Sequence, residues 1–309
     1  VLVGGGNYDG HLSKTEMAET AQTTKRKVMK MKTTQLLALL LGLSLCIPTL
    51  RANDTQNKGN NGKGNQGKDN QGHDDQNNGN NSQKGLCNDL PSQAQLAAAL
   101  KSVVNVGGTN NSGFGLNMWA TTVNRDGEVC AVAFSGQDRG DQWPGSRVIS
   151  AQKANTANSF SLPNLALSTA NLYTAVQPGG TLFGLQHSNP VDTGNAYRGP
   201  SKNYGQANDP LVAHKIGGVN VFGGGLALYN KDHKLVGALG ISGDTSCTDH
   251  VVAWKVRKAL GLDYVPAGVS PTGDDNMVHD SGSGWFHPVC SGSESNIVFS
   301  LPTTYPISH

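Results

Sequence analysis

Residues 224–261 read GGLALYNKDHKLVGALGISGDTSCTDHVVAWKVRKALG, and no other stretch restricts the fold so tightly. Leu235, Val236, Ala238, Leu239 and Ile241 are apolar at consecutive as well as alternate positions, which predicts a central strand covered on both faces. Lys231-Asp232-His233 forms the turn from a preceding strand, and Gly223-Gly224-Gly225 marks a bulge or a close backbone approach. A helix follows. Ser246 can cap it, with Asp249 as the acidic member of a capping box. Val252, Val256, Ala259 and Leu260 give its buried stripe, while Lys255, Arg257 and Lys258 suit its negative end. Gly261 stops it.

Upstream, DLPSQAQLAAALKSVV predicts a helix that buries Leu96, Leu100, Val103 and Val104. NMWATTVNRDGEVCAVAFSG predicts two strands joined by a tight turn at 124–127, with Met118 and Trp119 in the core. SRVISAQKANTANSF is a helix with Val148, Ala151, Ala154 and Ala157 along one side. Helices alternating with hairpins give an α+β domain, an antiparallel sheet with helices packed on it. Ser161–Gly217 is long and irregular, yet carries Leu182, Phe183, Leu185, Tyr197, Tyr204 and Leu211. It is expected to be ordered, as a cap or pocket wall.

The N-terminal quarter is different. Lys25, Arg26, Lys27, Lys30 and Lys32 precede the apolar run LLALLLGLSLCI and Ala52, which together read as a signal peptide over 1–52. The segment before Met31 reads as an over-extended frame. Leu45 stands where a lipoprotein signal needs a small residue, which argues against lipidation of Cys46. Residues 53–85 are almost wholly Asn, Gln, Gly, Lys and Asp, and are expected to be a disordered tether. The globular part then spans 86–309, with a C-terminal tail at 262–309.

The chain's net charge of +2 belongs to the signal, which holds seven of the 24 basic and three of the 22 acidic residues. The remainder is net −2, so no basic face invites nucleic acid, and no later stretch would insert stably in a membrane. An exported, periplasmic or extracellular protein is the expectation. Cys87, Cys130, Cys247 and Cys290 then suggest two disulfides. Three connectivities are open; Cys87–Cys130 with Cys247–Cys290 is favoured, since it would tie both terminal segments to the core.

Two patterns have a catalytic look. GISGD has Asp244 where a nucleophile elbow needs glycine, and Ser150-Ala-Gln-Lys153 is an S-x-x-K without S-D-N or K-T-G companions. A hydrolase is therefore the weakest reading, and no catalytic or metal-binding residue is assigned.

AQKANTANSF (151–160), GGLALYNKDHKLVGALGISG (224–243), Asp249 and Ala253 resemble the signatures of the GlcG/HbpS-like family, over about residues 90–262. The resemblance implies a profilin-like α+β domain that forms homo-oligomers. In exported members it implies binding of haem b, held non-covalently, and a part in haem or iron handling or redox sensing. Lys153, Thr156 and Asp249 match the family pattern. Haem needs an axial donor and apolar walls. His187 is the first candidate, being near Leu182, Phe183 and Leu185. His214 beside Lys215 is second and His250 third, with Tyr197 and Tyr204 in the same insertion. His233 is read as a turn residue. His279 and His287, with Asp274, Asp275 and Asp280, are read as a solvated loop with at most weak metal affinity. The competing reading is an extracytoplasmic interaction or sensory module without haem.

Overall fold

Four antiparallel strands in the order β2-β1-β4-β3 form the centre of the computed structural model. It describes residues 87–104, 106–108, 110–290 and 293–309, all within one unit, Gly72–His309. The expectations of a signal peptide over 1–52 and a tether over 53–85 lie outside the described residues.

The hairpin of β1 (Trp119–Asn124) and β2 (Val129–Phe134) closes at the expected turn. Asn124 Oδ1 accepts the Asp126 and Glu128 amides at 2.9 and 3.0 Å, and Gly127 supplies the positive φ of 79°. β3 (Gly225–Tyr229) and β4 (Leu235–Ser242) make the second hairpin, and β1 pairs with β4 at the centre. β4 is buried along its whole length, as its unbroken apolar run predicts.

Side chains alternate across the sheet. Trp119, Val123 and Ala238 face helix α2 (Ser146–Phe160), whose Val148, Ala151, Ala154 and Ala157 complete that layer. The helix comes very close. A Cβ at Gly240 would lie 1.9 Å from the Ser150 carbonyl, so only glycine fits there. Ala120, Leu226, Leu239 and Ile241 face helices α1 (Gln93–Val103) and α3 (Ser246–Ala259). In α1, Ser92 and Gln95 form a capping box, and Leu96 and Leu100 are fully buried.

The insertion folds onto the α2 side. Leu211, Ile216 and Ala196 join the α2 cluster. Buried Arg147 of α2 donates Nε to Asp209 Oδ2 at 2.9 Å and Nη1 to the Ala196 carbonyl at 3.0 Å, with Tyr204 stacked 3.6 Å from its guanidinium. A cation held in this way orders a segment with little regular structure of its own.

Helix α3 and the tail depart from expectation. Thr245, not Ser246, caps α3, its Oγ1 accepting the Thr248 amide at 3.2 Å. Asp249 accepts the Gly243 and Asp244 amides instead of closing a capping box. Residues 247–257 are buried all round, while Ala259, placed in the apolar stripe, is exposed. The cause is the tail, which wraps α3 and ends in α4 (Glu294–Thr304). Trp254 Nε1 donates to the Tyr305 carbonyl at 2.9 Å, and Arg257 makes a bidentate pair with Asp275 at 2.7 Å. Arg257 is thus a buried anchor for the tail and not a solvated helix-end cation. Cys87 pairs with Cys130 and Cys247 with Cys290, the favoured connectivity.

Candidate functional site

The family-pattern residues Lys153 and Asp249 meet where α2 and α3 converge on the end of β4. Lys153 Nζ donates to Asp249 Oδ2 at 2.5 Å and to the Ile241 carbonyl at 3.0 Å, and both side chains are buried. The Phe222 ring lies 4.9 Å from the ammonium. Gly224, with φ of 115°, makes room for it: a Cβ there would stand 2.4 Å from the Ile241 carbonyl and 3.0 Å from Lys153 Nζ. The tri-glycine is therefore a close backbone approach, one of its two expected roles. Burial pushes the Lys153 ammonium below its ordinary range, against the pull of Asp249. Burial raises Asp249 to about 6 despite the adjacent lysine. The cost of burying both charges outweighs part of their attraction.

Thr156, the third family-pattern residue, lies one turn further along α2. Its hydroxyl donates to the Gln152 carbonyl at 2.8 Å and accepts the Asn220 amide at 3.0 Å, a role in joining the helix to the chain before β3. Ser150 is fully buried and shares 2.8 Å hydrogen bonds with Thr121 Oγ1 and the Arg147 carbonyl. With Lys153 committed to Asp249, Ser150 has no general base, and the S-x-x-K pattern has no acyl-transfer geometry.

The histidines scatter. His187 sits exposed on a four-residue helical turn, and Leu182 and Phe183 are exposed too, so the apolar surround expected there is absent. His214 is half-buried with Arg198 Nη1 at 2.8 Å from Nε2 and 3.2 Å from Nδ1; burial and that cation lower its proton affinity. Tyr197 is exposed, and Tyr204 stacks on Arg147. His233 is a turn residue with φ of 56°. His250 is wholly buried. Its Nε2 lies 3.1 Å from Asn276 Oδ1 and 3.2 Å from the Met277 amide, and burial lowers its pKa to about 3. It packs as a neutral core group.

The tail histidines are not solvated. His287 is 2% exposed, donates Nδ1 to the Pro288 carbonyl at 2.7 Å and packs against Tyr173 at 5.1 Å between ring centres. Burial brings its pKa to about 4. Asp274 accepts the Ser270 and Thr272 hydroxyls at 2.6 and 2.8 Å and so shapes the turn before Asp275. Asn276 donates to the Val298 carbonyl at 2.8 Å, and its own carbonyl accepts Asn171 Nδ2 at 3.0 Å. The irregular segment 274–279 is thereby fixed against α4.

Between that segment and α4 lies a largely apolar groove of about 610 Å³, walled by Met277, Val278, His279, Val298, Phe299 and Pro302. This volume is that of an ordinary small-molecule site, about 300–1,000 Å³. Among the described residues no group of three or more His, Cys, Asp or Glu is disposed to hold a metal ion. Sequence reading missed the groove because its two walls are 20 residues apart in a Gly/Ser-rich tail; the apolar spacing of Ile297, Val298 and Leu301 was the available signal.

Residues 111–257 match a protein-family model described as "Haem degrading protein HbpS-like", and the resemblance to the GlcG/HbpS-like family holds over that segment. Three solved structures are similar. Klebsiella pneumoniae protein ORFY is 24% identical with a TM-score of 0.36, covering 55% of this chain and 90% of its own. A PduOC:haem complex is 22% identical with a TM-score of 0.37, covering 55% and 91%. HbpS is 16% identical with a TM-score of 0.35, covering 55% and 90%. None of the curated proteins matches.

Proposed function

We propose that this chain, HbpS-like over residues 111–257, is an exported haem-binding protein that holds haem b or a related tetrapyrrole non-covalently and serves haem or iron handling. The family match carries the reading. The bound group would supply a redox-active iron; the protein's part is to seat it, exclude water and present a donor.

The residues supply part of what such a group needs. A non-covalent haem needs apolar walls and one accessible donor, and the tail groove has the walls. His279, in its wall, has an Nε2 that makes no hydrogen bond but is buried, and no Lys or Arg lines the groove to meet the propionates. Two disulfides suit an oxidising compartment, periplasmic or extracellular, and among the described residues no helix is long and apolar enough to cross a membrane. Homo-oligomers are part of the same proposal.

Haemin titration of the oxidised chain, followed by absorbance, tests the reading. A saturable change at one haem per chain is expected. A linear, non-saturating response would remove haem and leave the interaction module, to which Phe114, Phe183, Tyr197 and Phe299, each more than 60% exposed, offer apolar side chains.

A further inference from the structure

We infer that residues 277–289 form a pH-sensitive strap, pinned at both ends and released from helix α3 in acid by protonation of His250, His279 and His287. The device is independent of haem. Its opening is local: one wall of the tail groove moves away, with Met277, Val278 and His279, while the sheet and its helices stay folded.

Neither pin contains an imidazole. At one end Arg257 holds Asp275 through two 2.7 Å bonds, and Asn276 donates to the Val298 carbonyl of α4 at 2.8 Å. At the other end the Cys247–Cys290 bridge ties the chain to the first turn of α3. Between the pins there is little regular structure. Val278 and Phe286 form a single bridge, and the tip at 280–285 is mostly exposed. A segment so held can open without unfolding the rest.

The closed strap offers its three imidazoles no counter-ion. His250 Nε2 faces Asn276 Oδ1 and the Met277 amide, while its buried Nδ1 has no partner. His279 donates Nδ1 to the His287 carbonyl at 2.9 Å, and its buried Nε2 has none either. His287 gives Nδ1 to the Pro288 carbonyl and turns Nε2 to the Ser246 hydroxyl at 3.4 Å. The His279 and His287 ring centres are 6.4 Å apart, so charges on both would repel. The surrounding acids are engaged elsewhere. Lys153 of α2 takes Asp249, Arg257 takes Asp275, the Ser270 and Thr272 hydroxyls take Asp274, and the Thr245 hydroxyl donates to Glu294 of α4. Asp280 is exposed and accepts the Gly282 amide. Lys153 acts on His287 and Arg257 on His250 as further positive charge, and Tyr173 packs its ring on His287.

Release of the strap hydrates these rings. Met277, bonded through its amide to His250, leaves with it. Burial holds His287 at about 4 and His250 at about 3 in the closed form, whereas hydrated histidines titrate near 6.5. Below pH 6.5 the open form therefore binds more protons, and acid favours it. Between pH 7 and 5 each of the two multiplies the open population about twentyfold.

The test is hydrogen exchange of the full, oxidised chain at pH 7 and 5, read by mass spectrometry and corrected for intrinsic exchange rates. Peptides from 277–289 should open at least twentyfold more often at pH 5, while those from β4 and α2 change less than threefold. In His287→Gln the response of the strap should shrink at least tenfold. Where that variant does not fold, the unmodified chain decides alone, through the contrast between strap and sheet. Strap protection that is the same at both pH values overturns the inference, and so does an equal loss in strap and sheet, which is global unfolding. A full response in a folded His287→Gln/His250→Asn variant assigns the acid effect to other groups and overturns it as well.

Discussion

Lys153 Nζ and Asp249 Oδ2 lie 2.5 Å apart although 96 positions separate them in the chain, and neither side chain reaches solvent. The pair joins the helix on one face of the sheet to the helix on the other, past the end of β4. Removing one partner strands the other charge. Lys153→Met is expected to lower stability by about 3–5 kcal/mol, and Lys153→Met/Asp249→Asn to recover part of that loss. Urea unfolding checks both. A single-variant loss within experimental error of zero would mean the pair is neutral or wetted.

Gly224 is the backbone counterpart of that pair. Gly224→Ala is expected to cost about 2–4 kcal/mol, because the new methyl meets the Ile241 carbonyl and strains a left-handed φ. Gly261, with φ of 63° and open space around it, is the control; its alanine variant should lose only about 1 kcal/mol. Equal losses at the two sites would show that backbone strain alone, and not the close approach, decides.

The contrast between these sites and the tail shows what the sequence makes legible. β4 is apolar on both faces because both faces are covered, so its central place can be read from five residues. The two hairpins follow from turn chemistry in the same way, whereas the cysteine pairing does not, since three connectivities are open to the sequence and only the fold selects one. The pairing of Lys153 with Asp249 does not, since Asp249 three residues after Ser246 has the local look of a capping box. Arg257 likewise has the look of a helix-end cation, and only its distant partner Asp275 makes it a core residue. The tail hid its groove for a related reason. Gly/Ser-rich composition signals loop, but the Cys247–Cys290 bridge and contacts from His250, Trp254 and Arg257 of α3 hold that loop in place, and contacts between distant segments leave no periodicity behind.

Buried histidines set the acid limit of the fold. His250, at about 3, and His287, at about 4, both titrate well below an unfolded histidine near 6.5. The unfolded chain therefore binds more protons between those values, and stability falls as the pH drops from about 6.5 towards 4. Each residue contributes on the order of 2–3 kcal/mol over that window. Asp249, raised to about 6, acts in the opposite sense, regaining stability as the pH falls from 6 to about 4. The histidine share is thus read as a difference. Wild type should lose more stability than His250→Asn/His287→Asn between pH 6.5 and 4 in urea titrations, and parallel profiles would refute it.

The Cys247–Cys290 bridge closes a loop with a sequence separation of 43 around the tail. Loop entropy assigns such a bridge about 4 kcal/mol, and measured losses run to about 2–5 kcal/mol. Cys247→Ser/Cys290→Ser should lose stability in that range and become cleavable first near Trp285, by limited proteolysis with mass analysis. Cleavage first in the 161–217 insertion would place the weakest tether elsewhere.

Native mass spectrometry of the oxidised chain incubated with haemin tests the central claim most directly. The account predicts one haem mass per chain, retained under native conditions and lost when the protein is denatured in acid. A chain that gains no haem mass, or an adduct that survives denaturation, would contradict it.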